Sequence, residues 1–178
     1  TSVSVDSSSY KSLMRQALFL PSNDNVQSII DLSFERLASN FGVVRKQGTS
    51  ARGEVVFFTR SQPTADLRIP LGTIISNGSV EFRTTTQGQI PLNGFASFYN
   101  PLNNRYEITI PIKASSTGAI SNVTAGEISS IVSDIRGLEV VNTAETFGGL
   151  DLESNLALSI RAQQAISSID TGTTQGYF

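Results

Sequence analysis

The sequence predicts an α+β protein: N-terminal helices, a β-rich, mainly antiparallel and sandwich-like central domain, and a C-terminal helix after a Gly-Gly turn. Three observations carry this. Apolar residues recur at helical spacing up to Phe41, then alternate with period two from Gly53 onward, then return to helical spacing after Gly149. The expected organisation is a helical segment over 1–47, a β-rich core over 48–149, and a helix over 150–178 that opens a longer C-terminal region.

In the stretch "YKSLMRQALFL", Leu13, Met14, Ala17 and Leu18 predict a short helix that Pro21 stops. A second helix follows, with Ser22 to Asn25 as cap candidates. Val26, Ile29, Ile30, Phe34, Leu37 and Phe41 share one face, and Gly42 suits a left-handed C-terminal cap. A wide apolar face of this kind fits a helix bundle shared between subunits, or packing against the same chain.

"GEVVFFTR" is β-branched and aromatic, and "SVEFRT" alternates Val80 and Phe82 with Glu81 and Arg83, so both read as strands. In "RYEITIPIKA", Tyr106, Ile108, Ile110 and Ile112 are expected to face the core. Pro111 lies on the other face and lacks a ladder donor, so this strand is expected at an edge or at a bulge. "IPLGT", "SNGS", "PLNG", "NPLNN" and "SSTG" supply turns.

"TAGEISSIVSDIRGLEVVN" is ambiguous. Thr124 and Glu127 have capping-box spacing, and Ile128, Ile131, Val132 and Ile135 suit a short helix, but the same residues also suit two short strands around a turn at Gly137; a turn or short helix followed by a strand at Leu138 to Asn142 is expected. After Gly149, Leu152, Leu156, Ile160 and Ile166 fall on or near one helical face, with Asp151 as a cap and Glu153 in the first turn.

Composition narrows the function classes. The 178 residues contain no His, Cys or Trp, which removes imidazole and thiolate chemistry, an ordinary zinc site and disulfides. A net charge of -2 argues against a phosphate-binding surface, and Arg45, Lys46, Arg52, Arg60 and Arg68 read as solvated strand ends. No apolar run is long enough to span a bilayer. Charged residues are only 16% of the chain, few for a water-facing surface, as though partners cover part of it.

The candidate sites are weak as chemistry. Asp151 and Glu153, two apart at a helix start, diverge instead of converging on one atom. "GGLDLES" lacks the oxygen alternation of a calcium loop, and Gly148 and Gly149 lack a following phosphate-loop Lys. The two glycines read as a backbone reversal, so Gly148, Gly149, Asp151, Glu153 and Ser154 are expected to form a joint from sheet to helix. The sequons at Asn77 and Asn122 recur by chance in a Ser/Thr-rich chain. Phe95, Phe98 and Tyr99 can form a sugar-stacking surface or alternate in burial along a strand. No catalytic residue, cofactor or metal ligand is expected.

From about Gly48 to Arg161 the pieces "ARGEVVF", "IPLGT", "VEFRTT", "ASSTGAISNV", "EVVN" and "GGLDLES" follow one another. In kind and order this series resembles the baseplate J-like family of contractile phage tails and related injection machines. That family's motif helix ends in an Arg-rich stretch, where this chain keeps only Arg161. The resemblance implies a structural subunit of the baseplate wedge that pairs with a second copy and joins other wedge and hub proteins in a ring around the tail hub. It further implies a role in triggering sheath contraction, a place in the virion's tail baseplate after assembly in the bacterial cytoplasm, and further C-terminal domains. No nucleic acid, membrane or small-molecule substrate is implied. The competing reading is a β-rich receptor- or glycan-binding tail module.

Overall fold

The computed structural model describes the backbone of residues 23–172 and the side chains of 27–167. The helix expected within Tyr10 to Leu20 lies outside the described residues. The chain divides into a helical unit, built from residues up to Lys46 and from Glu153 onward, and a β unit, Gln47–Leu152.

In the helical unit, α1 (Asn23–Ser39) and α2 (Asn155–Gly172) pack through Ala38, Val43 and Leu158, with Ala162 and Ala165 against them. α1 ends as its sequence predicts. Gly42 takes φ 72°, its N–H donates to Ser39 O at 3.0 Å, and Val43 N–H reaches Ala38 O at 3.1 Å. These paired bonds satisfy carbonyls that the last helical turn leaves open, and the Val43–Ala38 contact closes the motif with apolar packing. The contact stripe of α2 is Leu158, Ala162 and Ala165, whereas Leu156, Ile160 and Ile166 are exposed.

The β unit holds β1 (Arg52–Thr59), β2 (Leu67–Ile69), β3 (Ile74–Ser76), β4 (Glu81–Thr84), β5 (Gly88–Ile90), β6 (Tyr99–Asn100), β7 (Arg105–Ala114), β8 (Ser130–Ile131) and β9 (Glu139–Val141). Every pairing between these strands is antiparallel. One seven-stranded sheet runs β8-β3-β4-β7-β1-β9, with β6 also on β7, and β2 and β5 form a separate ribbon. The edge strands β8 and β9 approach each other, so the mainly antiparallel β-rich domain that the sequence predicts is one sheet curled towards a barrel.

Inside lie Val55 and Phe57 of β1, Ile75, Phe82, Ile110, Ile112, Ile128 and Val140. Each Leu/Ile-sized side chain buried there contributes about 1.5–3 kcal/mol. The β5 ribbon strand packs closely on β7: a Cβ on Gly88 would come within 2.5 Å of Ile110 Cδ1, so a larger residue there would push the Ile110 side chain aside. β1 is buried on both faces, because Val56 and Phe58, pointing away from the core, are also covered; the Arg105 guanidinium lies 4.0 Å from the Phe58 ring centre.

Three expectations need correction. β7 is central, flanked by β1 and β4, and Pro111 fits there because the β4 ladder stops at Thr84. Pro111 turns its N and O towards that side, where its carbonyl accepts Thr85 N–H at 2.9 Å and its missing donor falls just past the last laddered pair, Thr84 with Ile112. On β7, Ile110 and Ile112 are buried and Ile108 packs against the same core, whereas Tyr106 is half-buried. Tyr106 instead meets Phe95 edge-on at 5.3 Å and Tyr99 at 5.2 Å.

Phe95–Phe98 form a 3-10 turn followed by β6, in place of one continuous strand. Of the alternatives for Thr124 to Gly137 the structure takes the turn and two short strands: a turn at Ala125–Gly126 leads to β8, and a bend at Gly137 leads on to β9. Glu127 still accepts the Thr124 N–H at 3.3 Å, half of the predicted capping box, but Asn142 Oδ1 takes the Ile128 N–H that a helix would direct inward.

Candidate assembly site

The Gly-Gly motif is built from two different requirements. Gly148 has φ 85° and open space around it, so its glycine serves backbone conformation. Gly149 serves close approach: a Cβ there would lie 2.3 Å from Ser121 Oγ and 2.5 Å from Gly118 O. The Asn122 amide grips the Gly149 backbone at both ends, Oδ1 accepting its N–H at 2.8 Å and Nδ2 donating to its carbonyl at 2.9 Å.

Around this grip the motif pieces form a buried polar network. Ser121 Oγ accepts Ala51 N–H at 3.1 Å and donates to Gly118 O at 2.6 Å. Thr146 Oγ1 accepts Val123 N–H and donates to Ser121 O, both at 2.8 Å, while its methyl occupies the space a Cβ on Gly53 would need. Asn142, fully buried, donates to Thr124 O and Ala144 O and accepts from Ile128 N–H. Each side chain stands in for a ladder partner that the irregular backbone lacks, and among the described residues no buried side-chain polar atom goes unpaired.

Asp151 has a different role from the one its position predicts. Its Oδ1 accepts Ala119 N–H at 2.8 Å and so caps the 3-10 turn Ala119–Ser121. Ser154 caps α2, its Oγ accepting Ala157 N–H at 3.2 Å. The two acidic groups of the motif do not share a target. Glu153, in the helical unit, accepts Arg161 Nη1 at 2.6 Å and Lys46 N–H at 2.9 Å, and these bonds hold its carboxyl below the ordinary 4.5.

The organising group of the helical unit is Arg45, which is buried, not solvated. Its Nε meets Glu35 Oε1 at 2.7 Å, Nη1 donates to Glu153 O at 2.6 Å, and Nη2 donates to Asn155 Oδ1 at 2.6 Å. The planar fork thus ties α1 to the start of α2. Asn155 Nδ2 in turn donates to Asp31 Oδ1 at 2.7 Å, which, with a bond from Gln27, lowers the Asp31 carboxyl below its ordinary 3.8. The signal for Arg45 was present in the sequence as a cation three residues past the Gly42 cap, inside "GVVRK", but its partners are remote.

The apolar face of α1 is open. Ile29, Ile30, Phe34, Leu37 and Phe41 are 36–58% exposed, and Val26 stands in the same helix with its side chain outside the described residues. Phe34, Leu37 and Phe41 line a groove of about 120 Å³ with Leu158, Ala162 and Ile166. Phe95, Tyr99 and Tyr106 pack on one another, with the Tyr99 hydroxyl donating to Asn104 at 2.6 Å. Among the described residues no three carboxylates gather as a metal site, and no helix is long and apolar enough to cross a membrane.

A barrel of this strand order, closed by Asn122, Asn142 and Thr146 over a Gly-Gly turn, agrees with sequence comparison. The profile of the Baseplate J-like protein barrel domain matches residues 55–149, just over half of the chain. The chain belongs to the baseplate J-like family. Its β unit holds that family's barrel domain, and the Gly-Gly motif and its Asn partner are accounted for by the hydrogen bonds described above. A chain in the cryo-EM structure of the anti-feeding prophage (AFP) baseplate, six-fold symmetrised, shares the fold at a TM-score of 0.54 and 11% identity. The match covers 89% of this baseplate J-like chain but 45% of that one. No curated protein sequence matches significantly.

Proposed function

We propose that this chain is a structural subunit of a contractile-tail baseplate wedge whose function is assembly. Its barrel is the rigid part, and the α1 face (Val26, Ile29, Ile30, Phe34, Leu37, Phe41) is covered by a neighbouring subunit. The observation that carries the reading is this face, on which Ile29, Ile30, Phe34, Leu37 and Phe41 are exposed to water. Family membership and the shared fold with an AFP baseplate chain supply the context. On this reading the partners are a second copy and other wedge and hub proteins, the place is the tail baseplate, and the ring passes the contraction signal. The joint residues Gly148, Gly149, Asp151, Glu153 and Ser154 act by fixing local backbone, with no chemistry of their own. A glycan-binding module has less support, because the Phe95, Tyr99 and Tyr106 rings pack against one another.

The test is co-expression of an affinity-tagged chain with the other structural proteins of the same particle. The assembly reading expects stoichiometric co-purification, together with poor recovery of the chain expressed by itself. Clean recovery alone and no partner retained would overturn it.

A further inference from the structure

The β unit carries seven cations, and they divide into two groups. Arg60, Arg68, Arg105 and Arg136 each have a carboxylate within 4 Å: Glu139, Asp66, Glu107 and Asp134. The other three are Arg83, Lys113 and Arg52, which have no ion pair among the described residues and are exposed. They are also lined up. Arg83 of β4 pairs in register with Lys113 of β7, Lys113 pairs with Arg52 of β1, and Arg52 exchanges backbone bonds with Phe147 at 2.8 and 2.9 Å. Three cations and an aromatic that is 67% exposed therefore stand side by side on the outer face.

Like charges directly opposite on neighbouring strands repel, so folding alone gives no reason for this row. Glu54 and Glu81 lie two residues along β1 and β4 on the same face, and Glu145 lies two before Phe147, yet none forms an ion pair with the row. An open cleft of about 440 Å³ begins at the row, and its walls include Arg52, Lys113, Phe147 and the hydroxyl residues Thr49, Ser50 and Thr117, with no carboxylate.

We propose that this cleft is a docking surface for an acidic, extended segment of a neighbouring protein, its carboxylates on Arg83, Lys113 and Arg52 and an apolar side chain on Phe147. Charge complementarity selects the partner: a carboxylate supplies what the four other cations already have and these three lack. The surface is separate from the α1 face, and the inference rests on the assembly reading only in taking the partner from the same particle.

The experiment is zero-length carbodiimide cross-linking of assembled particles, read by mass spectrometry at the Lys113 peptide. A link from Lys113 to an Asp or Glu of another polypeptide is expected, and it should be lost at raised salt. In parallel, Lys113→Gln should raise the thermal midpoint of the isolated chain by relieving repulsion, yet lower its incorporation about tenfold. Particles that contain the chain but link Lys113 only to its own Glu54, Glu81 or Glu145, or not at all, overturn the docking surface alone. Unchanged incorporation of Lys113→Gln does the same. Particles without the chain overturn the assembly reading and this inference together.

Discussion

Asn122 holds Gly149 by both halves of its amide, accepting the glycine N–H at 2.8 Å and donating to its carbonyl at 2.9 Å. This two-point grip needs the glycine to sit against Ser121 and Gly118 with no side chain between. Gly149→Ala is therefore expected to lower stability by about 1–3 kcal/mol through overpacking. Gly148→Ala, with open space but φ 85°, should cost about 1–2 kcal/mol. Denaturant midpoints of the two variants check this; a Gly149→Ala protein as stable as the wild type would contradict the close approach.

Asn122→Asp replaces the donor to Gly149 O with a second acceptor and sets a charge against a carbonyl. A loss of about 1–3 kcal/mol is expected, the cost of leaving a partly buried carbonyl unpaired. The same substitution at Asn77, whose Oδ1 only accepts from Ser79 N–H and Val80 N–H, should be nearly neutral. Thermal melts of the two variants side by side decide between a specific grip and a general sensitivity to charge.

Neighbouring positions on β7 make a sharper contrast. Ile110 is 1% exposed in the barrel core and Thr109 faces outward. Ile110→Asp should prevent soluble folding, since burying an unpaired carboxylate in place of an apolar side chain costs several kcal/mol, while Thr109→Asp should leave the yield unchanged. Equal yields would remove the assigned strand register.

Asp31 and Glu153 bear on pH. Both carboxyls are lowered in the folded chain, Glu153 mainly by the Arg161 hydrogen bond and Asp31 mainly by that of Asn155. A carboxyl lowered on folding adds stability that is present above its ordinary value and is lost as pH falls through the lowered one. The denaturant midpoint of the helical signal should thus fall as the pH drops below the ordinary carboxyl values of 4.5 and 3.8. Arg161→Gln should flatten that fall; parallel curves for the two proteins would contradict the assignment.

What could be read from the sequence was local. α1 and its Gly42 cap are specified by residues within one turn of each other, and β7 by its own alternation. What escaped depends on distant partners. Pro111 sits centrally because β4 ends at Thr84, some 27 positions away in sequence. Asp151 reads as the cap of α2 until Ala119 claims it and Ser154 takes that place. Arg45 looks like a solvated strand end beside Lys46, and only Glu35, Glu153 and Asn155 bury it. In the stretch from Thr124 to Gly137, helical spacing gave way to Asn142, which supplies the bonds a helix would have made internally.

The central claim is that another subunit covers the α1 face, and the chain's lack of cysteine allows a direct measurement. A single cysteine replaces Leu37, which is 58% exposed, and a second variant carries one at Leu102, which is 92% exposed in the β unit. Maleimide labelling rates are then read by mass spectrometry in the free chain and in assembled particles. The account predicts rapid labelling of both in the free chain, and protection of Leu37→Cys by about tenfold or more on assembly, with Leu102→Cys as the reference for general access. Equal labelling of Leu37→Cys in the free and assembled states would show that no subunit covers the helix, and would contradict the account.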